Sequence, residues 1–359
     1  MLIPSSVSVP HISTSSGLIQ SIQTFSITIG NGQSSNTASI SSVDTSCAMI
    51  VWGGETSSDS GDAAGTKVEA RVTLTNSTTV TATRHTTDTN TITVNGTVVE
   101  FVSSAIQSIQ YGTGTISSGS ASTDAAISSV NTANAFVQYL GQSSATTANT
   151  AYNRFWSRCY FASSTAVKLK RDTSTDDVTV GFVVVEFKSG VLNSSTQRAN
   201  IGLGSSDSSK TTTIISVTPS QTALFFGGHD LGNTTSSKAN GRIALTDATT
   251  ITADRYASGG AGSGLNIECT AVEFKASDIA SIQRGTIDLN GVTSNTATIS
   301  AVNTSKAFVS YLGMSTSDTS TIGTKIKNKV ALTNSTTVTA SAYGTPTTNT
   351  ISYEVIEFV

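Results

Sequence analysis

A short ending, Val-Glu-Phe, returns along this chain at a nearly fixed interval, and that period limits the fold more than any other feature. It stands at Val99-Glu100-Phe101, Val185-Glu186-Phe187, Val272-Glu273-Phe274 and Ile356-Glu357-Phe358, with the glutamates 86, 87 and 84 residues apart. Three further markers keep the same order. Ile-x-x-Val occurs at Ile40/Val43, Ile127/Val130, Ile214/Val217 and Ile299/Val302. LTNSTTV at 74–80 returns unchanged at 332–338, as LTDATTI at 245–251 and as FASSTAV at 161–167. The entry IQSIQ at 19–23 recurs at 106–110, becomes IASIQ at 279–283, and decays to Ser195-Thr196-Gln197-Arg198 in the third copy. Four markers in one order at one period define four repeats: 18–101, 102–187, 188–274 and 275–359, after an extended arm at 1–17.

Each repeat predicts six strands. In the first they fall near 20–29, 37–43, 47–52, 67–74, 79–84 and 91–101. Val68, Ala70, Val72 and Leu74 share one face of the fourth strand, and Glu69, Arg71 and Thr73 share the other. Clusters of Asn, Ser, Thr and Gly between the strands supply turns. Ser and Thr make up about a third of the chain, well above ordinary usage, and the branched Thr side chain suits a pleated surface. Six strands with one apolar face each can bury a core as two sheets face to face. The expected fold is therefore all-β, with four tandem six-stranded antiparallel β-sandwich repeats of about 85 residues and almost no helix. The longest loops, 53–66, 141–151, 227–241 and 313–324, join strands three and four. They vary more than the strands, as either recognition loops or neutral surface would.

Charge excludes some functions. Only 12% of the 359 residues are charged and the formal net charge is −3, so nothing draws the chain to nucleic acid or an acidic membrane surface. The start lacks a positively charged, apolar signal segment, which predicts synthesis in a cytoplasm. Cys47, Cys159 and Cys269 occupy three different repeat positions, so they are expected as free thiols in or near the core. His11, His85 and His229 have no equivalents in other repeats and no metal-ligand spacing. No G-x-S-x-G elbow occurs, and the glycine-rich run at 259–264 lacks the strand-to-helix setting of a phosphate loop. No catalytic, cofactor or metal site is expected.

Two charged patterns are candidate sites. Strand four carries Arg71, Arg158, Arg242 and Lys329, and strand six carries Glu100, Glu186, Glu273 and Glu357. The expectation is an ion pair within each repeat, more readily a scaffold pair than a ligand cluster. A bulge near Asn95-Gly96 would explain why Glu100 is out of phase with its neighbours. A second basic position follows strand five at Arg84, Arg171 and Arg255, with Ala342 in the fourth repeat. In the second repeat, alternation puts Arg154, Trp156, Arg158 and Tyr160 on the outward face, a candidate contact surface.

The combination IQSIQ, I-x-x-V-[DN]-T, LTNSTTVTATR and VVEF, over 19–359, resembles Ser/Thr-rich β repeats in virion structural proteins of tailed bacteriophages. Such proteins serve as tail fibres, head fibres or capsid decoration. The resemblance implies a non-enzymatic virion component with other virion proteins as partners. The strand order also resembles, more weakly, H-type lectin sandwiches. That likeness implies a homotrimer and a host-surface glycan as a further partner, in a carbohydrate-binding adhesin. No sugar-binding motif can be carried over to this sequence.

Overall fold

The computed structural model describes residues 17–61, 64–147, 156–232, 235–258, 264–319 and 322–359. Apart from Gly17, the arm expected at 1–17 lies outside the described residues. The chain is all-β, 59% strand and 4% helix, with four six-stranded antiparallel sheets in a four-blade, propeller-like ring. In the first repeat the strands are β1 (Ile19–Ile29), β2 (Ser35–Ser39), β3 (Ala48–Ser57), β4 (Arg71–Asn76), β5 (Thr79–Thr83) and β6 (Ile92–Phe101). The same six follow as β7–β12 in 106–187, β13–β18 in 197–273 and β19–β24 in 279–358. Among the described residues, helix is confined to single turns: α1 (Gly65–Val68), α2 (Ser236–Ala239), α3 (Gly323–Ile326) and a 3-10 turn at Pro219–Gln221.

The expectation of separate sandwiches is corrected by the sheet order. Strands one, six and three of each repeat form half of a sheet. Strands four, five and two of the preceding repeat complete it. Thus β1-β6-β3 continues into β22-β23-β20, so the fourth repeat joins the first and the ring closes. Within a repeat the two three-stranded halves do face each other, with β1 packed against β2 and β5. Each half then runs on into a neighbour. The reason is the free edge of strand three: its outer backbone groups need partners, and the adjacent repeat supplies them.

All four repeats join by the same device. A single bridge links each strand-four base to a glycine in the next strand three: Arg71 to Gly141, Arg158 to Gly228, Arg242 to Gly313 and Lys329 to Gly54. These glycines have φ of +82°, +87°, +87° and +93°, a region that side chains disfavour. A Cβ there would also collide with the backbone of the preceding repeat. Strand six runs without the bulge expected at Asn95-Gly96; the register shifts lie in its neighbours, between Trp52 and Glu55 of β3 and between Ile19 and Ser21 of β1, opposite Glu100 and Phe101.

The four third strands, β3, β9 (Ala135–Ser144), β15 (Thr222–Leu231) and β21 (Ala307–Thr316), pack around the axis. Their side chains fill it in layers. At one end Phe101, Phe187, Phe274 and Phe358 form a closed pinwheel of edge-to-face contacts, with ring centroids 5.2–6.3 Å apart. A second closed ring follows from Trp52, Tyr139, Phe226 and Tyr311, with centroids 5.3–6.4 Å apart. Edge-to-face geometry places positive ring edges on negative ring faces. Both rings draw one residue from the same position of every repeat, so a fourfold arrangement is written directly into the repeat.

Candidate functional site

The repeated polar residues hold the scaffold. Gln23, Gln110, Gln197 and Gln283 each bond one backbone segment twice: the amide donates to Ser41, Ser128, Ile215 and Ser300 carbonyls, and the side-chain oxygen accepts from the same residues' N–H groups. The Ile-x-x-Val marker is pinned to the Asn/Ser/Thr turn marker in every repeat. Ile40 and Val43 N–H donate to Thr78 and Ser77 carbonyls, and the other three copies match.

The strand-six glutamates act as staples. Glu100 accepts from the Asp44 N–H at 2.7 Å and the Ser21 hydroxyl at 2.7 Å. Glu186 does the same with Asn131 and Ser108, Glu273 with Thr218 and Ser194, and Glu357 with Asn303 and Ser281. Burial alone would push the Glu273 carboxyl up, but these hydrogen bonds hold it below its usual range. The expected ion pairs with strand four are therefore corrected. Among the described residues none joins Arg71, Arg158, Arg242 or Lys329 to its own repeat's glutamate. The bases sit at the inter-repeat junction, away from the staple. Arg71 donates to Ser143 of the second repeat. Arg158 pairs with Asp230 at 2.8 Å and Glu268 at 3.0 Å of the third. Arg242 pairs with Asp254 at 3.2 Å and reaches Ser352 of the fourth.

The basic position after strand five is a buried clamp. Arg84 is 1% exposed and donates to the carbonyls of Gly30, Gln33, Asp88 and Asn90, tying the strand one–two and five–six turns together. Arg171 makes equivalent bonds to Ser117, Ser120 and Thr175, and Arg255 bonds the matching strand one–two turn at Gly204 and Asp207 but reaches Lys238 in α2 with its third donor.

The proposed outward face of the second repeat is also corrected. Arg154 lies outside the described residues. Trp156 and Arg158 are buried, and only Tyr160 keeps partial exposure. The cause is the junction: the next repeat covers the start of strand four, so Arg158 meets Asp230 instead of solvent. Glu69 is buried too, although alternation placed it outward, because the single turn α1 precedes it and breaks the strand period.

Beyond the second aromatic ring lies a buried polar cluster. It is built from the residues after the junction glycines, Glu55, Gln142, His229 and Met314, and from those two before the junction bases, Glu69, Trp156, Asn240 and Lys327. Three of the four junctions show a distinct pairing. Glu69 accepts from the Gln142 amide at 2.9 Å. Trp156 stacks on His229 with centroids 4.3 Å apart. Lys327 Nζ reaches Glu55 at 2.9 Å and Glu69 at 3.3 Å, and lies 3.8 Å from the Trp156 ring. Burial pushes the Glu55 carboxyl up and the Glu69 carboxyl well up, with Lys327 opposing both. Burial, helped by the Lys327 charge, holds the His229 imidazole down at about 3, so it stays neutral. Among the described residues neither His229 ring nitrogen has a hydrogen-bond partner. Among the described residues no three His, Cys, Asp or Glu side chains gather as metal ligands. Sequence reasoning missed this cluster, although its signal was present: Gly54, Gly141, Gly228 and Gly313 recur at the repeat period.

Cys47, Cys159 and Cys269 are free and buried, as their positions predicted. The described surface also carries one groove per sheet, between strand four of one repeat and strand one of the next.

No protein-family model matches this chain, and no curated protein matches it either.

Proposed function

We propose that this protein is a non-catalytic structural component of a tailed-bacteriophage virion, a fibre or decoration element that works by multivalent protein contacts. One observation carries the reading: the charged and amide side chains that recur in the repeats, Gln23, Arg84, Glu100 and their counterparts, serve the scaffold. Such a chain is selected for a rigid shape, and the differences between repeats concentrate in the strand three–four loops. The third strands that lead into them, ending at Ser57, Ser144, Leu231 and Thr316, finish at the polar-cluster end of the ring. Four different loops on one rigid frame can engage neighbouring proteins at once, and linked weak contacts raise avidity by roughly 10²–10⁴. Other virion proteins are the proposed partners, with the segment at 1–17 as the attachment arm.

The test is a mass-spectrometric inventory of purified particles from the source phage, followed by electron cryomicroscopy. The reading expects the chain at stoichiometric copy number and a four-bladed density at a fixed place on the head or tail. Its absence from intact particles contradicts the virion role. Turnover of a glycan or peptide by the purified chain contradicts the non-catalytic role.

A further inference from the structure

We propose that Lys327 and Glu55 join through an amide bond between their side chains, formed within the folded chain and closing the ring covalently, with Glu69 relaying the protons. The place of the pair is the first reason. Three of the four junctions join repeats that follow one another in the chain. The fourth joins the last repeat to the first, and there Lys327 and Glu55 stand 272 residues apart in sequence. At the position of Lys327 the other repeats carry Glu69, Trp156 and Asn240, and at the position of Glu55 they carry Gln142, His229 and Met314. Of the four junctions, the seam alone therefore sets an amine against a carboxyl at these positions. A cross-link there ties a loop spanning most of the chain, the kind of tie that restrains an unfolded chain most.

The groups for amide formation are in place. Lys327 Nζ is the nucleophile, 2.9 Å from Glu55 Oε1. Glu55 Oε2 accepts from the Ala70 N–H at 2.9 Å, a donor that stabilises charge on that oxygen in a tetrahedral intermediate. Glu69 Oε1 lies 3.3 Å from the same Nζ, and its Oε2 is oriented by the Gln142 amide at 2.9 Å. Burial pushes both carboxyls toward the protonated forms the reaction needs. The three side chains are 0–4% exposed, and the Trp156 ring covers Nζ at 3.8 Å. Held contact replaces a bimolecular encounter, and exclusion of water opposes hydrolysis. In water the ionised amine and acid are favoured. In this site both ions are desolvated, and a neutral amide removes that cost. The Lys327 ammonium first passes a proton to Glu55 Oε1, and Nζ then attacks Glu55 Cδ. Protonated Glu69 gives its proton to Oε1 and takes one from Nζ. The Cδ–Oε1 bond breaks and Oε1 leaves as water. Glu69 ends protonated as it began, and the step consumes no oxidant, reductant or activating group. The observed ion pair is the reactant of this step.

The experiment is mass spectrometry of the full chain, purified, incubated and then denatured, both intact and after tryptic digestion. The parent should be lighter than its sequence by one water. Its digest should contain a branched peptide joining the segment of Glu55 to the segment of Lys327. Lys327→Arg should keep the full mass of its sequence. Glu69→Gln should also keep it, with strand content unchanged by circular dichroism, because an amide side chain does not relay the proton. A role for Glu69 in packing alone would leave the bond in place. The proposal is overturned if the folded parent has the full mass of its sequence, if the missing water maps to other residues, or if Glu69→Gln loses the water as completely as the parent does.

Discussion

Lys327 Nζ lies 2.9 Å from Glu55 Oε1 across the junction of the fourth repeat with the first, the two repeats farthest apart in the chain. The pair is buried at both ends, and Glu69 stands beside it at 3.3 Å. It is the seam of the ring. The other junctions have a short connecting segment to hold neighbours together, whereas this one, among the described residues, depends on side chains, one sheet bridge and the bond from the Thr324 N–H to the Asp59 carbonyl. Lys327→Met should therefore destabilise the chain by about 3–5 kcal/mol, because it strands buried carboxylates. Adding Glu55→Gln and Glu69→Gln should recover much of that loss. Denaturant unfolding of the single and triple variants checks both outcomes.

The same cluster predicts a pH signature. Folding raises the Glu69 carboxyl above its ordinary value. The folded state then holds a proton that the unfolded state releases, so stability falls as pH rises from the ordinary carboxylate range through the raised value. Glu69→Gln should remove that decline above the ordinary carboxylate range. His229 works in the opposite direction. Its folded value near 3 lies below the usual imidazole range, so it costs stability as pH falls from about 6.5, at up to about 1.4 kcal/mol per pH unit. His229→Phe should flatten that acid-side slope. Unfolding free energies across pH for each variant against the parent isolate the two effects.

The junction glycines should tolerate no side chain. Gly141 combines φ of +82° with a backbone oxygen of Ala70 where a Cβ would sit. Gly141→Ala should cost more than the roughly 1–3 kcal/mol of an unfavourable backbone conformation alone. Gly119, also at positive φ but with open space around it, should show only the backbone cost. Thermal melts of the two variants make the comparison.

The pinwheel and the staples give two further magnitudes. Phe187 is 1% exposed and touches Phe101, Phe136 and Phe274, so Phe187→Ala should cost about 3–5 kcal/mol. Glu186→Gln keeps the shape of its staple but loses the charge, and should cost about 1.5–3 kcal/mol. If Glu186→Gln left stability unchanged, the staples would be incidental surface bonds.

Much of this architecture could be read from the residues. The repeat, its six strands and their order all follow from the markers and the alternation, because local periodicity records which face of a strand is buried. Which sheet edges meet is a different kind of information. β3 has the same side-chain pattern whether its free edge is capped by its own β4 or by strand four of the neighbouring repeat, so the shared sheets left no trace in periodicity. Trp156 and Arg158 were misplaced for that reason: their outward parity was right for an isolated repeat and wrong for a ring. Glu100 shows the converse. Its recurrence was legible, but its partners, the Asp44 N–H and Ser21 hydroxyl, were not, since a backbone donor carries no sequence signature.

The central claim is that the first and fourth repeats share a sheet within one closed ring. It is tested most directly by a spin-label distance between Ser26 on β1 and Thr333 on the fourth strand of the last repeat (Asn328–Asn334). The two strands stand three positions apart in one sheet, and Thr333 lies four residues along its strand from the bridge of Lys329 to Gly54, which at about 4.8 Å per strand and about 3.3 Å per residue places their backbones roughly 20 Å apart. A single narrow distribution near that separation, in dilute monomer, is the predicted result. A broad distribution, or one lengthened by the width of intervening domains, would show four repeats in a row and contradict the ring.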